Sequence, residues 1–183
     1  MEKFYIDKNN AALVIVDIQE KLAVAMKAKE DVVKNNLHLI ELAKLQNIPI
    51  VVTEQYSKGL GPTVSEIRTA VAAYQPIEKL TFSCCGETGF PSEMKKLGKK
   101  QVILTGMETH VCVLQTCIDL LKDGYIVHVV RDAICSRSKE NWKTALEYMR
   151  DAGAVITCTE TVLFQLLKVA GTEEFKAISK RIR

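Results

Sequence analysis

Short apolar runs alternate along this chain with longer stretches of helical period. Ala12-Leu13-Val14-Ile15-Val16 is continuous and rich in β-branched residues, the pattern of a strand covered on both faces. A helical stretch follows, with Val32, Val33, Leu37, Ile40, Leu42, Ala43 and Leu45 at its apolar positions, and Asn47 and Pro49 close it. Ile50-Val51-Val52 predicts a second strand. A loop with Gly59, Gly61 and Pro62 leads to a helix from about Thr63 to Ala73, and Pro76 opens an extended piece through Lys79 to Phe82. A helix from about Thr88 to Leu97 ends at Gly98. Val102 to Thr105, Ile126 to Val130 and Ala154 to Thr157 read as further strands. Helices over Thr109–Lys122 and Ser138–Ala152 lie between them, and the tail from Thr159 reads as one or two helices broken near Gly171.

Strand–helix alternation of this kind predicts an α/β fold, a parallel sheet with helices on both faces. No linker or internal repeat divides the 183 residues, so one domain over 1–183 is expected. The longest apolar run, Ala11 to Val16, is far short of the ~20 residues that span a bilayer. No membrane role is expected, and the polar N-terminus lacks a signal-peptide core, which favours a cytoplasmic setting. A net charge of +3 is too small to point to nucleic acid. Six cysteines invite a disulfide or metal framework, but no CxxC pair occurs, and reduced thiols are the default without secretion. The question becomes which thiol, if any, is a reagent.

Ligands of such sheets sit outside the carboxyl ends of the strands, where strand order reverses. The first strand runs into Asp17-Ile18-Gln19. Asp17 is either a helix cap or a carboxylate held at a crevice. The turn carries no GxGxxG and the chain no GxxxxGK[ST], which removes nicotinamide and P-loop chemistry. The third clear strand ends in Thr105-Gly106-Met107-Glu108-Thr109-His110-Val111-Cys112. A thiol delivered to a helix start is expected to have a lowered pKa, and the free amides there can bind an oxyanion. Cys117 lies about 140° around that helix and reads as core. His110 diverges from Cys112 by about 200°, which makes it a poor base. His38 and His128 read as structural. Lys79 is either a solvated lysine or a cation folded against Asp17 and Cys112.

In order, Val14-Ile15-Val16-Asp17-Ile18-Gln19, Glu78-Lys79-Leu80-Thr81-Phe82-Ser83, Thr105 to Val113 and Val129-Val130-Arg131-Asp132-Ala133 resemble the isochorismatase-like cysteine hydrolases over nearly the whole chain. Val52 to Thr63 is most similar to the isochorismatase domain-containing subgroup. The resemblance implies a three-layer αβα Rossmann-like fold with a six-stranded parallel sheet. It implies a catalytic triad of Asp17, Lys79 and Cys112, a cis peptide at Met107–Glu108, and an oxyanion hole from the amides of Glu108 and Cys112. Gln19, Tyr56 and Phe82 are expected to contact substrate. It also implies a homo-oligomer, a tetramer or larger. The apolar segment Thr161 to Leu167 serves either that interface or its own sheet. Nicotinamidases of the family bind a metal through one Asp and two His after the second strand. Here the stretch is Glu54-Gln55-Tyr56-Ser57, so neither metal nor other cofactor is expected. Cys112 also separates the chain from true isochorismatases, which use no cysteine nucleophile. The expected activity is hydrolysis of a small-molecule amide, or a related C–N or ester bond, through a thioester. The alternative is a thiol-sensing or small-molecule-binding module on the same fold.

Overall fold

The computed structural model describes residues 1–182. Six strands form one parallel sheet: β1 Ala11–Val16, β2 Ile50–Gln55, β3 Ile77–Lys79, β4 Gln101–Met107, β5 Ile126–Cys135 and β6 Val155–Thr157, in the order β3-β2-β1-β4-β5-β6. The strand with no firm assignment from the apolar pattern is β3. It is three residues long, and only Lys79 of the three is buried, so it offers no apolar run to read.

Nine helices are described. In chain order they are α1 Glu20–Val24, α2 Lys29–Leu45, α3 Ser57–Leu60, α4 Ser65–Ala70, α5 Gly89–Leu97, α6 Leu114–Lys122, α7 Lys139–Asp151, α8 Thr159–Leu167 and α9 Glu173–Arg181. Alternation along β1 explains the layers. Leu13 and Ile15 pack with α2, α4, α8 and α9 on one face, whereas Ala12, Val14 and Val16 pack with α5, α6 and α7 on the other. Both faces are covered, which is why the run reads as continuously apolar. Val162, Leu163, Leu166 and Leu167 of α8 are buried in the first of these cores, so the apolar tail segment packs on its own sheet. No helix among the described residues is long and apolar enough to cross a membrane.

Sequence order reverses between β1 and β4, and this switch point positions the site. Gly106 stands there with φ +127°, and a Cβ on it would come within 2.1 Å of the Val16 carbonyl oxygen. Only glycine lets β4 close against β1 at this level. The expected single helix after β4 is instead a π-type turn, Thr109–Val113, followed by α6. The Glu108 carbonyl accepts from both Val111 N–H (3.1 Å) and Val113 N–H (3.2 Å), which widens the first turn.

Candidate active site

Asp17 follows β1 in the left-handed region, at φ +51°, a conformation aspartate tolerates better than most side chains. It caps no helix. Thr53 Oγ1, from β2, donates to its Oδ1 at 2.7 Å, and Lys79 Nζ, from β3, stands 2.7 Å from Oδ2. All of Asp17 and Lys79 is buried, at 0% and 1% exposure. Lys79 Nζ donates to Gln55 Oε1 (2.7 Å), the Phe82 carbonyl (3.1 Å) and the Thr81 carbonyl (3.2 Å). Three acceptors match three ammonium hydrogens. Asp17 Oδ2 is the ion-pair partner of the same ammonium, and the Cys112 thiol lies beside that carboxylate. Burial alone would lower the Lys79 pKa. The charge of Asp17 outweighs it and carries the net shift upward.

Cys112 arrives on the π-type turn, 6% exposed, with its thiol against Asp17 and Lys79. The expectation of a lowered pKa is overturned. Burial first, then the Asp17 charge, push the thiol up to about 12. Lys79 acts the other way but does not prevail. A helix-start position does not fix the charge state of a thiol that is both desolvated and beside a carboxylate. At neutral pH the resting group is a thiol, with Asp17 as its acceptor. The peptide between Met107 and Glu108 is cis.

The structure thus brings Asp17, Lys79 and Cys112 together. It also corrects one expected contact. Gln19 is fully buried, and its side-chain N–H groups donate to the carbonyls of Gln55 (3.0 Å) and Gly61 (2.7 Å). Its Oε1 accepts from Gln55 N–H (2.7 Å). With these bonds committed, Gln19 staples the 55–61 loop to β1 instead of offering groups to a ligand. The side chains of Tyr56 and Phe82 are about half exposed. Tyr56 N–H donates to the Lys79 carbonyl (3.0 Å), so its backbone is tied to the lysine strand. A Cβ at Gly59 would sit 2.3 Å from the Tyr56 ring, which explains the glycine beneath it.

A model of the isochorismatase domain matches residues 11–161. The chain belongs to the isochorismatase family. It is 41% identical over 181 residues to the secreted isochorismatase effector Isc1 of Phytophthora sojae, covering 96% of this chain and 85% of that one. Identity to isochorismatase domain-containing protein 2 of Danio rerio is 39% over 171 residues, covering 93% and 85%. Among solved structures, the MAR1 ribonuclease of Caenorhabditis elegans is 40% identical with a TM-score of 0.90, covering 97% and 92%. YcaC of Escherichia coli, described as an octameric hydrolase of unknown specificity, is 27% identical with a TM-score of 0.91, covering 97% and 90%. Family membership supports hydrolase function.

Within the isochorismatase fold, three contributors escaped the sequence reading. Thr53 orients Asp17, Gln55 orients Lys79, and Cys84 lies fully buried beside them. Cys84 N–H donates to Thr116 Oγ1 (2.9 Å), and its sulfur is 3.7 Å from Thr53 Oγ1. Burial, with the Asp17 charge second, raises this thiol to about 11. The signal available for Thr53 and Gln55 was their place at the end of β2, the same rule that singled out Asp17. Glu54, between them, faces the other way. Its Oε1 accepts from Thr63 N–H (2.6 Å), Thr63 Oγ1 (2.9 Å) and the Tyr74 hydroxyl. The stretch that holds a metal in nicotinamidases here holds a loop clamp. Among the described residues, no three His, Cys, Asp or Glu side chains gather as a metal site.

Proposed function

We propose that this protein is a cysteine-dependent hydrolase of a small amide, or a related C–N or ester bond, that works through a thioester. The observation that carries the reading is the buried carboxylate of Asp17, held between the Lys79 ammonium and the Cys112 thiol. Asp17 takes the thiol proton as Cys112 Sγ attacks the carbonyl carbon. The transfer turns carboxylate, ammonium and thiol into carboxylic acid, ammonium and thiolate. The dry site therefore holds the same net charge before and after, with Lys79 countering either anion. The amides of Glu108 and Cys112 stabilise the oxyanion, each such donor being worth about 2.7–4 kcal/mol. Asp17 then protonates the leaving group, and water cleaves the thioester.

Closure of the site favours a small substrate. Asp17, Lys79, Glu108 and Cys112 are all buried, which suits a molecule that enters whole better than a nucleic-acid strand. The ribonuclease name of the C. elegans relative makes RNA cleavage the control assay. A homo-oligomer of tetramer size or larger is part of this reading, supported by octameric YcaC. A reducing, cytoplasmic setting belongs to this reading, because the mechanism needs Cys112 as a free thiol. The thiol-sensing alternative draws on Cys84 and Cys112 facing one ion pair.

The experiment is turnover of an amide and ester panel by wild type and Cys112→Ala. Loss of turnover to background in the variant is expected. A fully active variant overturns the proposal. Reversible peroxide oxidation of Cys112, with no turnover of any panel member by wild type, favours sensing.

A further inference from the structure

A cavity of about 500 Å³ lies at the end of β5, between the first turns of α2 and α7. Lys27, Lys34, Arg131, Arg137 and Lys139 line it, with Trp142 as its aromatic wall. Asp31 and Asp132 are the two carboxylates among the lining residues, and Asp132 Oδ1 is already taken by Thr159 N–H (2.8 Å) and Thr159 Oγ1 (2.9 Å). Around the cavity, Lys27, Lys34, Arg131 and Lys139 have no ion-pair partner among the described residues. Five cations against two carboxylates leave the lining net positive, and an anion between the cations relieves their repulsion.

Two further features fit an anion with an apolar body. The Arg131 guanidinium lies over the Trp142 ring, 5.4 Å from its centroid, so cation and aromatic face form one surface. Arg137 is braced by Glu108 Oε2, which accepts from its backbone N–H (3.0 Å) and Nε (3.1 Å). Its terminal amino groups have no partner among the described residues. The N-terminus of α2, capped by no side chain at Ala28, adjoins the cavity, with Glu30 and Asp31 in its first turn. We infer that this cavity is a binding site for a small carboxylate or phosphate carried on an apolar or aromatic body, distinct from the thiol site. Its wall touches the nucleophile turn, through Arg137 on Glu108 and through Ser136 Oγ, 2.9 Å from His110 Nδ1.

Trp142 is the only tryptophan in the chain, so its fluorescence reports on this cavity alone. The full-length protein is titrated at low salt with phenyl phosphate, benzoate, inorganic phosphate and neutral benzyl alcohol. A saturable Trp142 response to phenyl phosphate or benzoate is expected, weaker with added salt and weaker for inorganic phosphate. Lys34→Ala/Lys139→Ala, two exposed positions, should weaken it about tenfold. Comparing benzoate with phenyl phosphate tells which head group the site prefers. No saturable response, an equal response to benzyl alcohol, undiminished binding by the double variant, or a signal that follows protein concentration instead of ligand would each overturn the inference. The last outcome would assign the cavity to a second copy of the chain. Cys112→Ala protein serves equally well, so the result is independent of the hydrolase reading.

Discussion

Two buried carboxylates, Asp17 and Glu54, sit at the ends of neighbouring strands, and they have different work. Asp17 meets a hydroxyl on one oxygen and an ammonium on the other, with a thiol beside it. Glu54 is satisfied by Thr63 and Tyr74 and faces no reactive group. Burial is nearly the same at the two positions, at 0% and 6% exposure. The difference teaches that burial of an acid does not mark chemistry. Its partners do. A carboxylate held by hydroxyl and amide donors alone fixes a loop, and one set against an ammonium and a thiol can move a proton.

That contrast breaks most sharply under substitution of the acids themselves. Asp17→Asn removes the base and should lower kcat/KM by roughly 10²–10⁴-fold while the protein stays folded. Glu54→Gln should leave kcat/KM within a few-fold, and steady-state kinetics on one substrate compares the two. Next in size is Lys79→Ala. It strands the Asp17 charge in a dry site and should cost about 3–5 kcal/mol in denaturant unfolding. Adding Asp17→Asn to Lys79→Ala should recover much of that stability and none of the activity. Glu54→Gln should cost about 1–3 kcal/mol through its altered hydroxyl and amide contacts, read by the same unfolding curves.

The smallest effect belongs to Tyr74. Burial first, then its bond to Glu54, raise the phenol from 10.0 to about 12. A raised folded-state pKa gives stability that is present in full below about pH 10 and is lost as pH climbs toward about 12. Tyr74→Phe should lower stability by about 1 kcal/mol at neutral pH and flatten that alkaline loss, with activity unchanged.

The sequence made the sheet legible because strands covered on both faces carry apolar runs: all of β1, Val102 to Leu104 of β4, and Ile126 to Val130 of β5 around His128. It hid β3, whose buried residue is a lysine. It also set β5 too short. The strand runs on through exposed Arg131 and Asp132, because Ile134 and Cys135 still pair with Gly106 and Met107. Asp17 and Cys112 stood out from the strand-end rule, but their meeting with Lys79 came only through family resemblance, since no local pattern encodes contacts 62 and 33 positions apart. Gln19 misled because a buried glutamine looks the same in sequence whether it meets ligand or backbone. The Cys112 pKa misled because helix position is visible in a sequence and desolvation is not.

The most direct test is acid-quench mass spectrometry of the wild-type protein during turnover of a small amide or ester, with peptide mapping of any adduct. The account predicts one acyl group per chain on Cys112, which appears with substrate, disappears as substrate is exhausted, and is absent in Cys112→Ala. Sustained turnover with Cys112 unmodified, or an acyl group mapped to another residue while Cys112→Ala remains active, would contradict it.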